Sequence, residues 1–131
     1  MVLRWALVAS VLLAPASGWA HVMEAGLHGG EVEDANPGPA LHFETVVKGS
    51  TVSVYLIDEN GKPVDTTGVV GTVTVLAAKK KDTIQLTPMG ANMVTGTGSF
   101  IQDPDMRALV ALTIHGVKQQ ALFSRLMPPK Q

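Results

Sequence analysis

Two histidines and several carboxylates between His28 and Glu44 are the residues of this chain best suited to chemistry. His42 and Glu44 are two positions apart in an alternating apolar and polar run that is typical of a β-strand. Side chains at i and i+2 of a strand project from the same face, so these two should lie together. Imidazole and carboxylate groups bind divalent transition metals, and the two glycines after His28 could let it fold back onto the strand. We therefore predict a metal site with His42 as the fixed ligand and His28 folded back onto it, in which Glu44 or Glu31 completes the set.

Each of these side chains also has a purely structural explanation. His28 could cap a backbone group in a turn, because Gly-Gly follows it. His42 and Glu44 could lie on the solvated outer face of their strand, which is the usual place for alternating polar residues. Glu31 and its acidic neighbours could be ordinary surface charges. The residue types alone leave the metal-binding and structural explanations open.

Residues 1–20 have the features of a secretory signal peptide. Arg4 precedes an apolar run from Trp5 to Ala14, and small residues precede a cleavage site after Ala20. The run is shorter than the roughly 20 apolar residues that cross a bilayer as a helix. We expect export to the periplasm, removal of this segment, and a soluble product that does not span the membrane.

Two copper chemistries are alternatives to the His and Glu site. Cleavage after Ala20 would make His21 the first residue, and its α-amine and Nδ1 could chelate copper together with a second histidine, as in copper-brace proteins. Met89, Met93 and Met106 could offer soft thioether ligands to Cu(I). Methionines in β-domains more often fill the core, which is the structural alternative for all three.

Composition excludes several other functions. The chain has no cysteine, so thiolate metal sites, disulfides and cysteine nucleophiles are absent. Loss of Arg4 with the signal peptide leaves 9 basic and 11 acidic residues, a balance that does not favour nucleic acid as a partner. Neither a Ser-His-Asp set nor a pair of catalytic carboxylates stands in a suitable context, so we do not expect an enzyme.

The remaining chain has the pattern of an all-β domain. Alternating apolar residues from Leu41 onward are interrupted by glycine, proline and asparagine turns, and no helical period is found. This predicts a small antiparallel β-sandwich (Ig-like) or barrel of about six or seven strands. The predicted organisation is a signal peptide at 1–20, a flexible arm rich in His, Gly and Glu at 21–39, the β-domain at 40–126 and a tail at 127–131.

The core of this domain follows from the same alternation. The side chains expected to form it are Leu41, Phe43, Val54, Leu56, Val73, Val75, Leu109 or Val110, Leu112 and Phe123.

The order of short motifs in this domain resembles a known protein family. The motifs are His28-Gly-Gly, His42-Phe-Glu44, Val54-Tyr-Leu56, Asp58 with Gly61-Lys-Pro-Val64, Val73-Thr-Val75, Leu86-Thr-Pro88 and Gly96. Together they resemble the N-terminal domain of heavy-metal efflux adaptors, the periplasmic subunits of RND-type cation pumps, and related stand-alone periplasmic proteins. The resemblance covers most of the chain from about His28 to Phe123.

The resemblance implies metal handling in the periplasm beside an efflux pump or adaptor. His28, His42 and Glu44 are the positions that would inherit metal contact. The helical hairpin and lipoyl-like module of such adaptors have no counterpart here, so only an accessory role carries over. Histidine and carboxylate ligands favour Zn or Cu over Co or Ni. The alternative class is a β-sandwich that binds no metal and docks on a membrane or envelope complex.

Overall fold

A computed structural model describes residues 26–37 and 41–126, and within them every regular element is a β-strand. The eight strands are β1 (Glu31–Asp34), β2 (His42–Lys48), β3 (Thr51–Ile57), β4 (Val70–Ala77), β5 (Lys80–Pro88), β6 (Met93–Thr97), β7 (Arg107–Ile114) and β8 (Val117–Phe123). The prediction of an all-β domain is therefore confirmed. The strand count exceeds the expected six or seven, and β1 is the strand that the sequence pattern did not indicate.

The strands form one antiparallel sheet in the order β1-β2-β3-β6-β5-β4-β7-β8. Strand β5 joins its two halves, because Lys80 to Leu86 pair with β4 and the last two residues pair with β6. The ends of the sheet meet where Asn36 and Gln120 exchange backbone hydrogen bonds of 2.8 and 2.7 Å. This contact makes the sheet a nearly closed barrel.

Alternation along the strands decides which side chains fill the barrel. On β2 and β3, Phe43 faces Leu56 and Val47 faces Val52, and all four are buried. The other face of these strands, called the outer face below, carries the alternate residues. The expected core is buried at every position, and of the pair Leu109 and Val110 it is Val110 that points inward, with Leu109 on the outer face.

The segment predicted as a flexible arm contains ordered structure. Glu31–Asp34 pair with β2, from Glu31 opposite Thr45 to Asp34 opposite His42. Four residues are too few to show a clear alternation, and three of these four are acidic, so composition gave no strand signal. Within the ranges 26–37 and 41–126, no helix has the length and apolar character needed to cross a membrane.

Candidate functional site

Glu44 is a fully buried carboxylate on the outer face of the barrel, with 0% of its surface exposed. The expectation that Glu44 could belong to a solvated strand face is wrong. The reason is that residues 26–30, called the N-terminal turn below, fold back over β2 and cover it. A buried carboxylate requires hydrogen-bond donors around it, since loss of solvation is otherwise very unfavourable.

Glycines let the N-terminal turn approach β2 closely. A Cβ atom at Gly26 would lie 2.1 Å from Cδ of Glu44, and one at Gly30 would lie 2.4 Å from the carbonyl oxygen of Thr45. Gly29 adopts a φ of 77°, a left-handed conformation that glycine accepts without strain. The turn is closed by the N–H of Gly29, which donates to the carbonyl of Gly26 at 2.9 Å.

The donors to Glu44 all come from this turn. Oε2 accepts the backbone N–H groups of His28 at 2.8 Å and Gly30 at 2.9 Å. Oε1 lies 2.8 Å from Nδ1 of His28. Because an ionised carboxylate only accepts hydrogen bonds, Nδ1 carries the proton. Hydrogen bonds to an ionised group are stronger than neutral ones, so Glu44 fastens the turn to the sheet.

The imidazole of His28 is held in one orientation from two sides. Glu44 fixes its Nδ1 edge, and the ring stacks on Tyr55 with a centroid distance of 3.6 Å and an interplanar angle of 4°. Tyr55 lies directly opposite Glu44 in the β2–β3 pairing, so the support and the carboxylate are adjacent. The side chain of His28 remains 38% exposed. In the neutral ring, a proton on Nδ1 leaves the lone pair of Nε2 free, which is what a metal ligand requires.

His42 repeats this arrangement with a second carboxylate. Its Nδ1 lies 2.6 Å from Oδ1 of Asp34, the residue opposite it on β1. This pair is more open, with 29% of the His42 side chain and 67% of the Asp34 side chain exposed. Asp34 fixes the Nδ1–H tautomer here too, which leaves Nε2 of His42 able to bind a cation.

The structure brings some of the predicted site residues together and separates others. His28 and Glu44 are in contact, whereas His42 is paired with Asp34, toward the opposite side of β2 from Tyr55. No group of three or more His, Cys, Asp and Glu side chains within residues 26–37 and 41–126 is arranged to hold a metal ion. The predicted three-ligand site stays a prediction, and His21 lies outside the described residues.

Glu31 lies on the other face of the sheet from Glu44. It is opposite Thr45, whose side chain is buried inside the barrel, and its Oε2 is buried without a hydrogen-bond partner. Burial raises the pKa of Glu31, and the neighbouring Glu33 raises it further, while Arg125 has a smaller opposing effect. The structure therefore does not place Glu31 beside His28.

Sequence reasoning missed the roles of Tyr55 and Asp34. A signal for Tyr55 was present, because a tight turn at Gly49 and Ser50 pairs Lys48 with Thr51 and so places Tyr55 opposite Glu44. The role of Asp34 depends on β1, for which the pattern gave no evidence. Asp34 and Glu44 thus act on the histidines, as partners that orient imidazoles.

Comparison of the chain with protein-family models, with characterised proteins and with solved structures finds no match.

Proposed function

We propose that this protein is an exported periplasmic domain that binds a divalent transition metal, Zn or Cu, and acts as an accessory to heavy-metal efflux or homeostasis. The observation that carries the proposal is the hydrogen-bonded pair of the buried Glu44 and the partly exposed His28. A metal-binding histidine usually donates its other ring N–H to a carboxylate, which fixes the tautomer and raises the basicity of the ligand nitrogen. His28 has this arrangement with Glu44.

The second histidine supports the same proposal. His42 has its own carboxylate, Asp34, and lies on the same outer face two positions before Glu44. In the neutral form of each ring the lone pair of Nε2 is free, so the two histidines can each contribute a ligand, with water or a further group completing the coordination. One fixed strand ligand and one ligand on a turn give a site that can release its metal, as an accessory to export must.

The test is isothermal titration of the full chain with Zn(II) and Cu(II). We compare the unaltered protein with His28→Ala and His42→Ala. His28→Ala should weaken binding most, because it removes the ligand that the buried carboxylate orients. Binding should also weaken in acid, since protons compete with the metal for the imidazole nitrogens.

The matched control is His115→Asn, at an exposed turn residue with a φ of 49° that asparagine also tolerates. This variant should bind as the unaltered protein does. No binding by the unaltered protein, or equal affinity after loss of His28 and His42, would reject the metal-binding function.

A second candidate is the docking module, and a particular surface favours it. On the outer face of β7 and β8, Leu109 lies opposite Leu122, and the two are 39% and 60% exposed. Thr74 of β4 lies on the other side of Leu109, so the row formed by Thr74, Leu109 and Leu122 carries no charge. Exposed apolar patches often mark interaction surfaces. This candidate predicts that Leu122→Lys abolishes co-purification with a membrane or envelope complex, whereas His28→Ala leaves it intact.

A further inference from the structure

A row of outer-face residues runs across three strands, β2, β3 and β6, beside His28. Glu44 of β2 lies opposite Tyr55 of β3, and Tyr55 lies opposite Met93, the first residue of β6. The pairing of β5 with β6 continues past Pro88, because the N–H of Met89 donates to the carbonyl of Met93 at 2.8 Å. Met89 and Met93 are therefore neighbours on adjacent chain segments, about 5 Å apart at Cβ.

The imidazole ring of His28 lies against this row of residues. Its Nδ1 is bonded to Glu44, and its ring lies over Tyr55. Tyr55 is the pairing partner of Met93, so the imidazole that stacks on Tyr55 lies one strand away from Met93.

The exposure of the two methionines differs from that of a core residue. Met106 is 1% exposed and fills the barrel interior, as methionines in β-domains usually do. Met93 is half-buried beside Tyr55, and Met89 is 59% exposed. Core filling thus explains Met106 and does not explain Met89.

We propose that Met89 and Met93, together with Nε2 of His28, form a binding site for Cu(I). This inference deepens the proposed metal-binding function and rests on it through His28. Thioether sulfur is a soft ligand that selects Cu(I), whereas imidazole and carboxylate groups accept Zn and Cu(II) as well. Two thioethers and one imidazole complete a low-coordinate site, and Glu44 acts on it as the partner that orients His28. His42 remains available for a divalent ion.

The test measures Cu(I) affinity under anaerobic, reducing conditions by competition with a chromogenic Cu(I) chelator. The full chain is compared with Met89→Leu, Met93→Leu and the double variant. Loss of an orienting partner alone weakens metal affinity by roughly 10- to 100-fold, so loss of both thioethers should weaken Cu(I) binding at least about tenfold. X-ray absorption of the Cu(I) complex should show sulfur neighbours that the double variant lacks.

Met106→Leu is the matched control, because it removes one sulfur from the core while conserving volume. It should leave Cu(I) affinity unchanged. Circular dichroism of every variant should retain the β-sheet spectrum, so that a loss of affinity reports on ligands.

Zn(II) titration separates this inference from the proposed function. If Zn(II) binding depends on His28 but Cu(I) binding is unchanged in the double variant, the thioether site is overturned. The proposed metal-binding function is then retained. Absence of Zn(II), Cu(II) and Cu(I) binding overturns both. Cu(I) binding that falls in the double variant while Zn(II) binding is retained supports the thioether site.

Discussion

Glu44 combines two roles that are difficult to separate. It is a buried charge, and such a charge is tolerated only where hydrogen bonds replace its solvation. Three bonds do so here, and they all come from His28 and Gly30. The same bonds that stabilise the carboxylate fix the tautomer of the imidazole, so the stability of this region and the preparation of a ligand have one cause.

We predict that Glu44→Gln lowers both stability and metal affinity. An amide keeps the shape of the side chain but loses the charge that strengthens its hydrogen bonds, and its NH₂ group cannot accept the proton of Nδ1. The free energy of unfolding should fall by about 1–3 kcal/mol. Zn(II) affinity should fall by roughly 10- to 100-fold. Urea unfolding and calorimetric titration measure the two effects.

Asp34→Asn is the control for Glu44→Gln, since Asp34 orients His42 in the same manner but is 67% exposed. Exposed ion pairs contribute only about 0–1 kcal/mol, so this variant should unfold almost as the unaltered protein does. Equal destabilisation by the two substitutions would contradict the role given to burial at Glu44.

The N-terminal turn is the element on which the site depends. At Gly30, an added Cβ would meet backbone atoms of Thr45, which cannot rotate out of the way. We predict that Gly30→Ala displaces the turn from β2 and separates His28 from Glu44 and Tyr55. The separation is measured by the fluorescence of Tyr55 or by the NMR chemical shifts of its ring protons. Zn(II) affinity is measured on the same variant.

Gly49→Asn is the matched control for Gly30→Ala. Gly49 has a φ of 58° and open space where a Cβ would lie, and asparagine accepts this conformation. It should leave Tyr55 and Zn(II) binding unchanged. Unchanged Tyr55 signals in Gly30→Ala would show that the turn does not require the close approach.

Strand β1 contributes a pH dependence through Glu31. Burial raises its pKa above the ordinary value of 4.5, so the folded state holds the proton more tightly than the unfolded state. The contribution of Glu31 to the free energy of unfolding is therefore fully present below about pH 4.5. It is lost as the pH rises through the raised pKa. We predict that Glu31→Gln raises the melting temperature at neutral pH, and that this gain disappears in acid.

The control is Glu59→Gln in the exposed loop after β3, which should not change the melting temperature at either pH. Glu33, whose pKa is also raised by burial, is present in both proteins and cancels from the comparison. A gain from Glu31→Gln that is equal at neutral and acid pH would contradict the assignment.

The strands show which features of the fold a sequence pattern can predict. Period-two alternation in β2 and β3 indicated correctly that Phe43 and Leu56 face the core, because side chains alternate strictly along a strand. The same alternation placed Glu44 on the outer face but could not reveal that a turn covers that face. Burial of Glu44 comes from contact with residues 26–30, which have no apolar period of their own. Residue types suggested that His28 returns to β2 as a metal ligand, but they did not indicate its hydrogen bond to Glu44. The pairing of His42 with Asp34 depends on β1.

At the scale of the whole molecule, the apolar core and the surface proposed to bind metal are on different sides of the barrel wall. The interior is filled mainly by apolar side chains from six strands; β6 contributes only Val94, and no residue of β1 belongs to the buried core cluster. Both histidine pairs, Tyr55 and the two methionines lie on the outer face of one half of the sheet. Changes at these residues thus leave most of the core in place, which makes ligand substitutions interpretable.

The last prediction joins binding to folding. His28 belongs to the N-terminal turn and His42 to β2, so a bound metal acts only on the folded chain. At a free Zn(II) concentration of roughly 100 times Kd, it should stabilise the fold by about 2.7 kcal/mol. In a domain of this size, each kcal/mol raises the melting temperature by about 4–8 °C. The rise should shrink in acid, because protons compete with the metal for the imidazole nitrogens. Thermal unfolding in the presence of Zn(II) measures the rise, and Mg(II) is the hard-ion control. A rise that persists in the double variant His28→Ala, His42→Ala would contradict the assignment of these two histidines as ligands.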